Sequence, residues 1–208
     1  GCRLLRMPVL ADAGRDGCEA EIYLYDTLPG GAGFARRVGD LKKAVFDEAL
    51  RILEDCPENC DRSCYRCLRS YKNKFEHDLL DRQVGASLLR YALGGAIPAL
   101  DDNRQKLSTD LLFEDLSRQG QAGLIIYRDK PLNVAGIGDV IAPICIERSD
   151  GSRFVVAVHG PLTPDYTHDA SIRDLKEYCP SIPIYLCDET VIRRNLPMAT
   201  SQLISLVR

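Results

Sequence analysis

The sequence predicts an α+β protein of two units. Residues 1–95 read as a metal-binding module of a hairpin plus helices, 96–107 as a linker, and 108–208 as a small mixed α/β module. Three observations predict this. Cys56, Cys60, Cys64 and Cys67 fall within twelve residues of the first half. Strand-like and helix-like patterns flank them. The second half reads helix, three strands, helix, strand, an order that closes into one compact layer.

Residues 3–10 (RLLRMPVL) and 19–26 (EAEIYLYD) have the apolar, β-branched and aromatic content of strands, and the turn formers at 13–17 (AGRDG) join them as a hairpin. The loop Thr27-Leu28-Pro29-Gly30-Gly31-Ala32-Gly33 then leads into a helix predicted over 34–54, where Val38, Leu41, Val45, Ala49 and Leu53 recur at helical spacing. A second helix is expected over 77–93, with Leu80, Val84, Leu88 and Tyr91 on one face and Gly94-Gly95 as its stop. Pro98 and Asp101-Asp102-Asn103 mark the linker. In the second unit Ser108 is the expected N-cap of a helix through 118. Strands follow at 123–127, 139–147 and 153–159, the last two joined by Ser149-Asp150-Gly151, and then a helix over 171–178, a strand over 182–187 and a helix over 199–207.

Nine cysteines in 208 residues put about half a cysteine in an average twelve-residue window. Four in one window need a cause. Their intervening gaps of three, three and two residues suit one tetrahedral zinc ion, with Cys64 and Cys67 in a tight turn and the longer gaps wrapping the other side. Disulfides or inert thiols are the alternative, but no signal-peptide pattern accompanies them, and Cys2, Cys18, Cys145, Cys179 and Cys187 are scattered. Four thiolates close the site, so the zinc is expected to be structural.

Composition bounds the rest. With 45% hydrophobic and 27% charged residues the chain has the make-up of a globular protein, and its net charge of −3 gives no sign of nucleic-acid binding. Without a leader pattern or an apolar run of bilayer length, a cytoplasmic chain with no membrane partner is expected. The first residue is Gly, which reads as a fragment or processed product of something longer. Charge is uneven along the chain. From Arg62 to Lys74 there are five cations (Arg62, Arg66, Arg69, Lys72, Lys74) and no acid, interleaved with Tyr65 and Tyr71. Such a stretch meets phosphates and stacks bases, although a solvated face, a docking surface or neutralisation of the thiolate cluster explains it as well. Arg36 and Arg37 open the helix after the glycine loop, where a DNA phosphate would complement them; the glycines also serve a plain tight turn.

Several motifs occur in order: Asp26-Thr27, Pro29-Gly30-Gly31-Ala32-Gly33, a long helix, the four-cysteine loop, Ser70-Tyr71-Lys72-Asn73, His77, and Leu80-Asp81-Arg82. In this series the chain resembles the MrfA-type zinc-binding domain of superfamily-two DNA helicases, which also occurs in the DrmB subunit of the DISARM phage-defence system. The resemblance implies Zn2+ on Cys56, Cys60, Cys64 and Cys67, a helicase motor domain or subunit as partner, and a parent assembly that acts on DNA with ATP in repair or antiviral defence. It implies a closer first pair than Cys56 and Cys60, which leaves Cys18 as a remote substitute. His77 is expected to pack or cap a helix.

No catalytic residue is assigned. No Gly-x-x-x-x-Gly-Lys-Ser/Thr run occurs, so the chain is not expected to hold ATP by itself. The second unit resembles a restriction-nuclease-like core in its element order. Asp139 begins its second strand and Glu114 precedes it, but the third, Arg153 to His159, lacks the acid and lysine that hold magnesium and activate water. The expectation is a non-catalytic accessory module that contributes DNA contact and subunit organisation. The alternative is a magnesium-dependent nuclease built from Asp139, Glu147 and His159.

Overall fold

A computed structural model describes residues 2–4, 24–26, 29–95, 99–120, 122–162 and 169–207. Its fold is α+β, with helices and a four-stranded mixed sheet. Strand β1 (Cys2–Leu4) pairs antiparallel with β2 (Leu24–Asp26), Cys2 opposite Asp26. The turn expected at 13–17 lies outside the described residues.

The helix expected over 34–54 is two helices, α1 (Phe34–Leu41) and α2 (Lys43–Glu54). Lys42 between them takes φ 48, ψ −125, a conformation that interrupts the hydrogen-bond ladder and re-aims the chain. The helix expected over 77–93 begins later, as α3 (Arg82–Gly94). Asp81 starts it there, because its carboxylate accepts from the N–H groups of Gln83 and Val84. His77 falls instead in a 3₁₀ segment, Tyr71–Leu79. Helices α2 and α3 pack against each other so closely that a Cβ at Gly85 would meet Leu53 Cδ1 at 3.3 Å.

Helix α4 (Asp102–Arg118) starts inside the expected linker. Its cap is Asp101, accepting from Arg104 N–H at 3.0 Å, and the expected cap Ser108 is buried in the helix interior. The sheet follows as β3 (Leu124–Val134), β4 (Gly138–Arg148), β5 (Arg153–His159) and β6 (Ile184–Asp188), in that spatial order. The first three are antiparallel; β6 joins β5 in parallel after α5 (Ala170–Tyr178). Two helices close the fold, α6 (Glu189–Arg194), which was not expected, and α7 (Leu196–Val207).

The sheet buries both faces. Leu112 and Leu116 of α4, Ile192 of α6 and Leu203 of α7 cover Ile144, Ile146, Val156 and Val158. On the other face Ile172 and Leu175 of α5 pack with Ala142, Cys145, Val155 and Ala157. One strand pair changes sides midway. Along β4, Val140 and Ala142 lie in the second cluster but Ile144 and Ile146 in the first; along β3, Leu124 and Ile126 pack on the first cluster and Leu132 and Val134 in the second. Strict alternation would keep each set on one face. The reversal coincides with Asp129 at φ 50, whose neighbour Arg128 donates to the carbonyl of Pro143 at 2.8 Å and to Asp110 of α4.

Candidate metal centre

Helix α2 delivers the chain to Cys56, and a loop with two tight turns carries the other three cysteines. Asn59 N–H donates to the Cys56 carbonyl at 2.9 Å, a turn that Asn59 closes at φ 41. At the far side the Cys64 carbonyl accepts from the N–H groups of Cys67, Leu68 and Arg69, folding Cys64-Tyr65-Arg66-Cys67 into one turn. The sulfurs converge. Cys56 Sγ lies 3.7 Å from Cys60 Sγ and 3.5 Å from Cys64 Sγ, and Cys67 Sγ lies 3.7 Å from both Cys60 Sγ and Cys64 Sγ. All four lie within 4.8 Å of one another. A tetrahedral zinc–thiolate centre has sulfur–sulfur edges of about 3.8 Å, from Zn–S bonds near 2.3 Å. A disulfide would need a separation of about 2.05 Å. The donor set therefore fits zinc, and Cys18 is not needed to complete it.

The backbone prepares the thiolates. Cys67 Sγ accepts from Cys64 N–H at 3.2 Å, and Cys64 Sγ accepts from Arg66 N–H at 3.3 Å. N–H groups of Cys60 and Glu58 hold the Cys56 thiol down to about 6. Burial and the neighbouring sulfurs push Cys60 up to about 12. Four thiolates so close repel one another, and a bound cation relieves that repulsion.

Arg82 fastens the loop to the helices. Its buried guanidinium donates to the carbonyls of Cys60 at 2.7 Å, Leu53 at 2.8 Å and Glu54 at 3.2 Å, and to Asn59 Oδ1 at 3.2 Å. The last carbonyls of α2 thus find a donor, as a helix C-terminus requires. Asn73 holds the next segment. Its Nδ2 donates to the Leu68 carbonyl at 2.9 Å, and its Oδ1 accepts from Ser70 N–H at 2.7 Å and from His77 Nε2 at 3.1 Å. His77 Nε2 also faces the Ser70 carbonyl at 3.1 Å, so that nitrogen carries the proton, and the ring lies edge-on to Tyr65. His77 is a positioning residue.

The nucleic-acid candidates divide in two. Arg62 donates to the Asp78 carbonyl at 2.5 Å and lies 3.8 Å from Asp81; Arg69 donates to Ser63 Oγ at 3.0 Å. Both are engaged inside the module. Arg66, Tyr71, Lys72 and Lys74 are exposed, with Lys74 Nζ 4.7 Å from the Tyr71 ring centre. Arg36 and Arg37 are exposed on α1, which packs on β2 and α2. At that helix's N-terminus Asp26 Oδ1 accepts from Phe34 N–H at 3.2 Å, so a carboxylate of the chain itself occupies the place proposed for a phosphate. Gly30, Gly31 and Gly33 have φ of 82, 77 and 76, which the tight turn around Asp26 requires.

An ion-pair chain, buried at Arg104, Asp81 and Glu189, joins the two units and was not foreseen. Arg104 of α4 donates to Asp81 at 2.5 Å and to Glu189 at 2.6 Å, and Arg193 lies 2.5 Å from Glu189 and pairs with Asp61 of the cysteine loop. Burial acts to raise Asp81, but hydrogen bonds from Arg104 and from the Val84 and Gln83 N–H groups outweigh it and hold the carboxyl below the usual range. The partners stand up to 132 residues apart in sequence, so no local pattern announces them.

The acids of the second unit do not converge. Asp139 and Glu147 stand at opposite ends of β4, about 26 Å apart at 3.3 Å per residue. Asp139 accepts from Asn133, while Glu147 pairs with Lys130 and Arg153 at 2.7 Å each. His159 turns Nδ1 to the Gly160 carbonyl at 2.8 Å. Among the described residues, the four cysteines alone form a group of metal-ligating side chains close enough to share an ion.

A closed four-sulfur centre on a helix-flanked loop defines a structural zinc-binding module. Residues 6–68 match the model of the MrfA Zn-binding domain family, and the N-terminal unit is a domain of that kind. Druantia protein DruE of Escherichia coli (strain UMEA 4076-1) is 34% identical over 189 residues, covering 90% of this chain and 9% of that relative. The chain thus spans about a tenth of the relative's length, and the match takes in most of both units. No solved structure matches the chain. No helix among the described residues is long and apolar enough to cross a membrane.

Proposed function

We propose that the chain is a non-catalytic, zinc-stabilised accessory module of a phage-defence protein that processes DNA, where it contributes DNA contact and organises neighbouring domains in the cytoplasm. The observation that carries this reading is the closed thiolate site: four sulfurs at tetrahedral separations leave zinc no open position for a substrate or water. The similarity to DruE supports the defence role. A helicase motor, in the same protein or a partner, supplies ATP-driven work in this reading. DNA contact falls to the exposed cations Arg66 and Lys72, since Arg62 and Arg69 serve the module's own fold.

The nuclease reading requires acids gathered around one ion, and Asp139 and Glu147 lie a strand's length apart. The test is charge reversal: Arg66→Glu with Lys72→Glu should weaken binding to duplex and single-stranded DNA and flatten its salt dependence, because fewer counterions are released. Zinc content should not change. Unaltered affinity across a salt titration would defeat the DNA-contact reading.

A further inference from the structure

Tyr71 and Phe75 are 78% and 86% exposed, which leaves two rings almost wholly in water beside the metal centre. They sit four residues apart on the 3₁₀ segment, on either side of a kink at Asn73 (φ −112, ψ 26). Lys74 Nζ lies 4.7 Å from one ring centre and 4.9 Å from the other, so a single ammonium holds both rings to one side of the segment. The backbone beneath is fixed by Asn73, which ties Ser70 and Leu68, and by His77. The backbone that carries the rings is therefore held in place before any ligand arrives.

From this geometry we infer that Tyr71 and Phe75 form a stacking platform for neighbouring bases of an unpaired nucleic-acid strand, with Lys72 and Lys74 facing its phosphates. The inference rests on the DNA-contact reading above and specifies the form of the ligand. A duplex hides its base faces in the stack, whereas a single strand offers a π-face at every nucleotide. A protein partner fits less well. Ser70 and Lys72 flank Tyr71, and Lys74 and Glu76 flank Phe75, so the rings alternate with charges, whereas the core of a protein interface is depleted in Lys and Glu. Glu76 and Asp78, exposed at the later end of the same segment, repel phosphate, so the strand's phosphates are expected toward the end bearing Lys72 and Lys74.

The experiment uses the zinc-loaded chain and fluorescence anisotropy with labelled oligo-deoxythymidylate, oligo-uridylate and a hairpin duplex of equal charge. Wild type should favour the unpaired oligonucleotides over the duplex, and the two single-stranded arms show whether the sugar is read. Tyr71→Ala with Phe75→Ala should weaken single-strand binding by on the order of tenfold per ring removed, with duplex binding and zinc content unchanged. Tyr71→Phe and Phe75→Tyr should retain affinity. Equal binding of duplex and single strand, or full single-strand affinity in the double alanine variant, would overturn the platform and leave the rings as a protein contact. Because Arg66→Glu with Lys72→Glu would still reduce duplex binding in that case, failure of the platform is distinguishable from failure of DNA contact.

Discussion

In the zinc-bearing half, the apolar side chains buried among the described residues are Leu53, Cys56 and Ala86, while Phe34, Leu41, Phe46 and Tyr91 stand in water. In the α/β half both faces of the sheet are packed, and Leu112, Ile144, Ile146, Val155, Val156, Ile172 and Leu175 are fully buried. The contrast separates two ways of fixing a chain. A small unit with little dry interior needs a cross-link, and here a metal and the Arg82 guanidinium supply it. A unit that covers a sheet twice needs neither.

Breaking each support alone tests that division. The largest effect should come from the metal, whose apparent binding free energy in small structural sites is about 10–16 kcal/mol. Cys64→Ser or Cys67→Ser should lose zinc, measured by elemental analysis, and unfold at least residues 55–75, while amide protection persists in β4 and β5. Acid should act in the same direction. Zinc requires deprotonated sulfur, and since burial among neighbouring sulfurs pushes the Cys60 thiol up to about 12 and raises that of Cys64 in the metal-free loop, binding at neutral pH should release protons from both. Affinity should fall as pH is lowered, more steeply below 6, as titration calorimetry in buffers of different ionisation enthalpy would show.

The converse variant is Val156→Asp, which buries an unpaired carboxylate in the sheet core and should destabilise the α/β half by about 4 kcal/mol or more. Denaturant unfolding should show that loss with zinc still bound. Next is Arg104→Met. It leaves Glu189 and Asp81 facing each other's side of the junction without their shared cation, and removing one partner of a buried pair costs about 3–5 kcal/mol. If both halves keep wild-type stability in this variant, the junction does not couple them. The smallest effect is expected for Asp139→Ala, an exposed strand start whose loss should stay within about 0.5 kcal/mol.

What the sequence revealed follows the range of the interactions. The four cysteines were legible because twelve residues contain the whole donor set, and the β4–β5 turn because Ser149-Asp150-Gly151 signals it locally. The helix break at Lys42 carries no Gly or Pro to mark it. Strand β3 runs to Val134, well past the expected 127, and includes Pro131, a residue type that sheets ordinarily confine to edge strands such as this one. Ser108 is a good cap by residue type, yet Asp101 does that work, and Ser108 is buried where Arg193 Nε donates to its hydroxyl at 3.2 Å. Arg82 was visible only as a motif member, and Arg104 only as part of the expected linker. Their roles depend on carbonyls and carboxylates brought from distant segments.

The reversal of sidedness at Asp129 and Pro143 bears on how the β3–β4 ribbon finds its alignment. In a uniformly alternating ribbon, sliding one strand by two residues restores every apolar side chain to its original face, so wrong alignments compete with the right one. Here such a slide would carry the turnover point on β3 out of step with the one on β4, and an apolar residue near the middle of one strand would face the wrong cluster. A long edge strand of eleven residues, ordinarily prone to pairing errors, is thereby left with a single phase in which both of its halves are satisfied.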